Sequence, residues 1–280
     1  MVGMTSPTFS PSLRLSDGHS IPQLGLGVYK VADAHATELV AGAIELGYRH
    51  LDTATLYDNE RGVGEGMRAS GVDRSELFLT TKLWNDDHGY DRALRAFDRS
   101  LELLGLDYVD LYLIHWPCPA QDRYVESWRA LLRLRDEGRV RSVGVSNFAI
   151  PHLERIIAET GEAPVINQVE LHPWLPQSAV RAFDRSQGIL TESWSPLARG
   201  RVLDDPVIGA IAERLGRSPA QVVVRWHLQA GVVVIPKSNS LARVAENARV
   251  FDFELSDDDL SRIAALESGE RTGKDPEHFG

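Results

Sequence analysis

Short runs of β-branched and other apolar residues alternate with longer segments of helical periodicity along the chain. In one helical segment, Leu94, Phe97, Leu101 and Leu104 recur at three- and four-residue spacing and form one apolar face. Eight strand–helix units follow one another, which predicts a parallel sheet covered by helices. The predicted strands are Leu24–Val28, Arg49–Asp52, Leu77–Lys82, Val109–His115, Arg141–Ser146, Pro164–Val169, Ile189–Trp194 and Val232–Pro236.

Turn and capping signals add elements at both ends of this repeat. The Asp17-Gly18 pair separates two short β-rich runs, residues 13–15 and 20–22, and predicts a hairpin before the first unit. Ser256 followed by Asp259 predicts a capped helix after the eighth unit.

Two α/β folds accommodate such a repeat, a closed barrel and a doubly wound sheet. A doubly wound sheet often carries a glycine-rich phosphate turn after its first strand, but Gly25 and Gly27 are not followed by the third glycine of that turn. We therefore expect a single (β/α)8 TIM barrel over residues 13–280, with an N-terminal β-hairpin and extra C-terminal helices. Residues 1–12 are predicted to form a flexible tail.

Composition and charge narrow the classes of partner. Hydrophobic residues make up 43% of the 280 residues, which excludes disorder of the whole chain. The net charge of −10 makes nucleic acid an improbable ligand. Cys118 is the single cysteine, no apolar run reaches the ~18 residues of a membrane span, and Met1–Ser12 lacks the features of a secretory signal. We expect a cytoplasmic monomer with no nucleic-acid or membrane partner.

Polar and aromatic residues end seven of the eight predicted strands, at the face where barrel enzymes place their chemistry. Each has a simpler explanation when taken alone, since Asp52 could cap a helix and Lys82 could lie on the surface. Their joint position on one face favours a functional site. They are Asp52, Lys82, His115, Ser146, Asn147, Gln168, Trp194 and Lys237.

Several ordered motifs resemble the aldo-keto reductases. The segment 47–54, followed by Tyr57, Asn59 and Glu60, resembles the first signature of that family. The segments 111–117, 144–148 and 167–170 resemble the family's fourth, fifth and sixth strands, and 235–238 resembles its cofactor clamp. The resemblance extends over residues 13–279. Trp194, where many members have tyrosine, is typical of the prokaryotic 2,5-diketo-gluconate reductase-like group.

The resemblance implies a metal-independent catalytic tetrad of Asp52, Tyr57, Lys82 and His115. It also implies reduction of aldehydes, ketones or dicarbonyls to alcohols by hydride transfer, with quinones as further candidate substrates. Tyr57 would be the general acid, and the Lys82 ammonium would lower its pKa from the usual ~10. Asp52 would hold Lys82, and His115 would orient the substrate oxygen.

The resemblance further implies NADPH as cofactor, with NADH also accepted by some members. Trp194 would stack on the nicotinamide ring, and cations would surround the 2′-phosphate. The implied contacts are Ser146, Asn147 and Gln168 for the carboxamide, Ser195 and Leu197 for the pyrophosphate, Lys237, Ser238 and Arg243 for the 2′-phosphate, and Glu246 and Asn247 for the adenine.

Tyr29, Trp84 and Trp116 are predicted to line the pocket of an apolar or planar carbonyl substrate. The tail after Glu267 is short, which predicts an open pocket. Two other functions are compatible with a barrel: a cofactor-bound regulatory subunit of a protein such as an ion channel, and a lyase with a Schiff base at Lys82. The lyase leaves Tyr57 unexplained.

Overall fold

The computed structural model describes residues 10–280. An antiparallel hairpin, β1 (Ser12–Arg14) and β2 (Ser20–Pro22), precedes eight parallel strands that are neighbours in chain order. These strands are β3 (Leu26–Gly27), β4 (His50–Asp52), β5 (Phe78–Leu83), β6 (Val109–Ile114), β7 (Val140–Ser146), β8 (Ile166–Glu170), β9 (Leu190–Trp194) and β10 (Val233–Val234).

The first and last strands meet and close the barrel. Parallel bridges join Leu24 to Val234 and Gly27 to Lys237. The amide of Gly25 also donates a hydrogen bond to the carbonyl oxygen of Val234 at 2.9 Å. The sheet therefore has no free edge at this seam, and the predicted (β/α)8 barrel is confirmed over a doubly wound sheet.

Helices pack around the sheet, and no helix within residues 10–280 is long and apolar enough to cross a membrane. The predicted extra helices lie in two places. Two helices, rather than one, lie between β9 and β10, and one further helix follows the eighth unit. The helices are α1 (Asp33–Glu45), α2 (Glu60–Ala69), α3 (Tyr90–Leu104), α4 (Tyr124–Asp136), α5 (Ile150–Thr160), α6 (Ser178–Ser186), α7 (Pro206–Leu215), α8 (Pro219–Gln229), α9 (Leu241–Ala248) and α10 (Asp257–Ala264).

Three residues of the predicted flexible tail belong to the barrel domain. Ser10 accepts a hydrogen bond from the amide of Leu24, Pro11 accepts one from the amide of Gln23, and Ser12 begins β1. These contacts attach the chain before the hairpin to the segment that leads into β3. Residues 1–9 of the predicted tail lie outside the described residues.

Candidate active site

A buried ion pair forms the floor of the site. Lys82 of β5 is 0% exposed and donates hydrogen bonds to Asp52 Oδ1 at 2.5 Å and to the carbonyl oxygen of Thr53 at 2.9 Å. Burial raises the pKa of Asp52, whereas the charge and hydrogen bond of Lys82 act in the opposite direction. Removing either partner of such a pair leaves an uncompensated buried charge.

Two predicted substrate-facing groups lie above this ion pair. Tyr57 follows β4 on a short 3-10 turn, and its ring centre is 5.3 Å from Lys82 Nζ and 5.7 Å from the ring centre of His115. Burial, with the charge of Lys82, holds the pKa of His115 well below its usual range. His115 Nδ1 is buried without a hydrogen-bond partner among residues 10–280. The neutral tautomer with its proton on Nε2 leaves no buried N–H unpaired at Nδ1.

The pKa of Tyr57 is raised rather than lowered in this structure, and the contribution of Lys82 to it stays a prediction. Burial first, and the negative charge of Asp52 second, raise the pKa of Tyr57 well above its usual range. The Lys82 ammonium is paired with Asp52. The phenol therefore keeps its proton at neutral pH, which is the form that a general acid requires.

The strand-end amides and hydroxyls form a hydrogen-bonded rim beside His115. Ser146 Oγ donates to the carbonyl oxygen of Gln168, and Asn147 Nδ2 donates to the carbonyl oxygen of His115. Trp194 Nε1 donates to Asn147 Oδ1 at 2.8 Å. The structure thus brings these predicted residues together. The amide oxygen of Asn147 keeps a second lone pair, since a carbonyl oxygen can accept two hydrogen bonds.

Gln168 points into the barrel rather than toward its rim. Its Nε2 donates to Asp52 Oδ2 at 2.8 Å and to Glu192 Oε2 at 2.9 Å. Glu192 is 0% exposed and was not predicted as a site residue, and neither was His50, whose Nε2 lies 3.6 Å from Glu192 Oε1. The missed signal is strand alternation, because residues two apart on a strand share a face. His50 therefore lies beneath Asp52, and Glu192 beneath Trp194.

Cations gather on the seam of the barrel. Burial, with the charges of Arg243 and Lys30, lowers the pKa of Lys237. Arg243 lies in the first turn of α9, and Lys30 follows β3. Lys30 was not predicted as a site residue, although its position just after the first strand could have indicated it. Three cations in a chain of net charge −10 make this a candidate anion site.

The remaining predicted cofactor residues lie near the same seam. Ser195 and Leu197 follow β9 and are partly exposed, and Ser195 adopts a left-handed backbone with φ of 52°. Ser238 Oγ accepts a hydrogen bond from the amide of Ser240, which caps α9. Glu246 and Asn247 lie near the end of α9. Their contacts with a cofactor stay a prediction.

Aromatic rings surround the two substrate-facing groups. The ring centre of Tyr29 is 5.0 Å from that of Tyr57, and the ring centre of Trp84 is 5.2 Å from that of His115. Trp116 lies 6.3 Å from Trp194, again between ring centres. Tyr29 and Trp84 therefore lie directly against the two substrate-facing groups, whereas Trp116 lies against Trp194.

The C-terminal tail reaches one of these rings, Trp116, and the predicted open pocket stays a prediction. The ring of Phe279 packs on Trp116 with 4.7 Å between ring centres. Glu170, at the end of β8, holds the tail through hydrogen bonds from the amide of Thr272 at 2.6 Å and the amide of Gly273 at 3.0 Å. Although Glu170 is buried, hydrogen bonds from His172, Thr272 and Gly273 lower its pKa. No group of three His, Cys, Asp or Glu residues within residues 10–280 is placed to hold a metal ion.

Comparisons with known proteins identify the family. The profile of the Aldo/keto reductase family matches residues 23–268. The chain is 53% identical over 270 residues to an aldo-keto reductase of Mycolicibacterium smegmatis, covering 96% of this chain and 98% of the relative. It is 52% identical over 279 residues to the methylglyoxal reductase DkgA of Salmonella typhimurium, covering 99% and 100% of the two chains.

A solved structure supports the same assignment. The crystal structure of a mutant of Gox0644 in complex with NADPH superposes with a TM-score of 0.93 at 52% identity, covering 97% of this chain and 99% of that one. The closed barrel, the buried ion pair beneath a tyrosine and a histidine, and these full-length similarities agree. The chain belongs to the aldo/keto reductase family.

Proposed function

We propose that this protein is an NADPH-dependent reductase of aldehydes, ketones and dicarbonyls, with quinones as further candidate substrates. The observation that carries the proposal is the placement of the Tyr57 phenol and the His115 imidazole together above the buried pair of Lys82 and Asp52. A proton donor and a neutral hydrogen-bond donor that lie side by side among aromatic rings suit the oxygen of a carbonyl compound.

The cation cluster on the seam fits the phosphates of NADPH. Burial, with the charges of Arg243 and Lys30, lowers the pKa of Lys237, and a dianion beside these cations would offset their repulsion. Two of these cations follow β10, where the resemblance places the 2′-phosphate. We therefore infer a preference for NADPH over NADH.

The reaction divides between the cofactor and the side chains. NADPH, when bound, supplies the hydride. His115 Nε2–H holds the substrate oxygen and orients the carbonyl carbon. Tyr57 transfers its proton to the oxygen as negative charge develops there, and Lys82 stabilises the tyrosinate that remains. Asp52 keeps Lys82 in place. The net result is an alcohol, formed from the carbonyl compound, one hydride and one proton.

Dicarbonyls are the first substrates to test. A relative of similar length is named a methylglyoxal reductase, and aromatic rings lie beside Tyr57 and His115 here. We propose methylglyoxal and aromatic aldehydes as good substrates, with a diketo-sugar acid and a quinone as comparisons.

The test follows NADPH oxidation with these four compounds in the wild type and in Tyr57→Phe. The variant should lose about 10²- to 10⁴-fold in kcat, since it lacks the acid, and should keep NADPH binding measured by fluorescence quenching. Tyr90→Phe is the matched control because Tyr90 is exposed on α3. Undiminished turnover in Tyr57→Phe would contradict the role of Tyr57. Bound NADPH without turnover in the wild type would indicate a regulatory subunit instead.

A further inference from the structure

The barrel interior beneath the site contains two buried carboxyl groups but one buried ammonium. Asp52 and Glu192 are 2% and 0% exposed, and Lys82 is 0% exposed. Lys82 is bonded directly to Asp52 at 2.5 Å. The single amide nitrogen of Gln168 bridges the two carboxyl groups, with one hydrogen bond to each. Lys82 is bonded to Asp52, so within residues 10–280 no lysine or arginine is bonded directly to Glu192, and the charge of Lys82 acts on it only from further away.

The surroundings of Glu192 favour its neutral, protonated form. Its Oε1 has no hydrogen-bond partner among residues 10–280, and an ionised buried oxygen without a donor is costly. His50 Nε2 lies 3.6 Å from Oε1. His50 Nδ1 lies 3.2 Å from the carbonyl oxygen of Pro22 and so carries the ring proton, which leaves Nε2 as an acceptor. Burial lowers the pKa of His50 to about 3.

The groups that face Glu192 come from several elements. His50 and Asp52 approach from β4, Lys82 from β5 and Gln168 from β8, and Tyr57 after β4 senses the charge of Glu192. The residue of β10 that pairs in register with Glu192 is Val233, which has no charge. Burial first, and the charge of Asp52 second, raise the pKa of Glu192 to about 8.

We propose that Glu192 is a positioning residue whose proton keeps the floor of the active site neutral, so that its ionisation slows carbonyl reduction. This inference rests on the proposed reductase function. An ionised Glu192 adds negative charge beneath Asp52 and Tyr57. It makes the phenol hold its proton more tightly and opposes the charge that develops on the substrate oxygen. Loss of activity on the alkaline side is then set by Glu192.

The test compares the pH dependence of kcat/KM for methylglyoxal reduction in the wild type and in Glu192→Gln. The glutamine is uncharged at every pH, so the alkaline midpoint should move upward by about one pH unit or more. His50→Gln places an amide donor near Glu192, stabilises the carboxylate, and should move the same midpoint downward. Two shifts of opposite sign are not expected from a general loss of packing.

Asp184→Asn is the matched control. Asp184 is also buried, with a pKa raised by burial to about 7, but it bonds to Thr191, on the outer face of β9. Its removal should leave the alkaline midpoint unchanged. Infrared difference spectra between about pH 7 and about pH 9 give a second readout without cofactor or substrate. Glu192→Gln should lose the part of the protonated-carboxyl band that titrates near pH 8 and keep the part that belongs to Asp184, whereas Asp184→Asn should do the reverse.

The outcomes separate the two proposals. A wild type that reduces none of the carbonyl compounds would overturn the proposed function. A wild type that reduces them, together with folded Glu192→Gln that has the wild-type pH profile, would overturn the role of Glu192 alone. If Glu192→Gln does not fold, His50→Gln decides, since an unchanged or raised midpoint in that variant contradicts the proposal.

Discussion

Lys82 shows how one side chain sets the protonation of its neighbours. Its ammonium is paired with Asp52 inside the barrel, yet its charge still disfavours a second positive charge on His115. Burial is the larger cause of the lowered pKa of His115, so the imidazole is neutral, and burial together with the charge of Asp52 keeps the proton on Tyr57. The site at neutral pH thus presents two uncharged donors above a compensated ion pair.

Arg243 carries a prediction at the same scale. Arg243→Ala removes one cation of the seam cluster and should weaken NADPH binding by about 10- to 100-fold, the range for a lost hydrogen bond to a charged group. NADH lacks the 2′-phosphate, so its Kd should change little. Fluorescence titration with both cofactors measures the two values.

The matched control for Arg243 is Arg249→Ala, because Arg249 is exposed just after the same helix, α9. That variant should bind both cofactors as the wild type does. Equal weakening of NADPH and NADH in Arg243→Ala would remove Arg243 from the 2′-phosphate and leave a general effect on α9.

At the scale of elements, one buried carboxylate, that of Glu170, accepts hydrogen bonds from the C-terminal tail. Glu170 accepts the amide hydrogens of Thr272 and Gly273, and the tail then places Phe279 on Trp116. This arrangement makes the end of β8 the anchor of a pocket wall. Just before this anchor, the amides of Ser268 and Gly269 donate to the carbonyl oxygen of Trp174, and Arg201 pairs with Glu270 at 2.6 Å.

Glu170→Gln tests this anchor. The glutamine presents an amide group where a backbone N–H now needs an acceptor, so the tail should open about 10- to 100-fold more often. Limited trypsin digestion at Arg271 and Lys274 should accelerate accordingly, and KM for an aromatic aldehyde should rise. Glu267→Gln, at an exposed position, is the control and should digest at the wild-type rate. Unchanged digestion in Glu170→Gln would show that the tail is held elsewhere.

The elements were largely predictable, because periodicity and capping are local properties. All eight strands formed where the pattern indicated, although β3 and β10 are only two residues each. Their flanks meet through isolated bridges at the seam, a pairing between residues more than 200 positions apart. A local pattern contains no information about that register.

The sequence allowed the site residue at the end of each strand to be predicted, but not the residues deeper in the barrel. Strand-end residues and the family resemblance identified Tyr57, Lys82 and His115, which the structure places together. Glu192 was not predicted, because its position beside Gln168 depends on the register between β8 and β9. Phe279 escaped because nothing near it in the chain indicates that it reaches Trp116.

At the scale of the whole molecule, the seam between β3 and β10 is the part of the barrel with the shortest strands. The cation cluster lies on it, since Gly27 of β3 pairs with Lys237. A cofactor bound there would contact both sides of the seam. Saturating NADPH should therefore slow hydrogen exchange at the amides of Gly25 and Val234 more than at amides in β6 and β7. Equal slowing in all four strands would indicate global stabilisation without a special role for the seam.

Closure of the barrel at the seam also links the lifetime of the protein to the concentration of NADPH around it. A ligand that binds only the closed barrel adds about 2.7 kcal/mol of stability at a concentration of 100 Kd. Proteases act on opened forms of a protein. A barrel whose seam is stabilised by bound NADPH should therefore survive longer where NADPH is abundant. Depletion of the reductant would then lower the amount of enzyme as well as its rate. Supply of the cofactor and abundance of its consumer would be matched without any additional regulator.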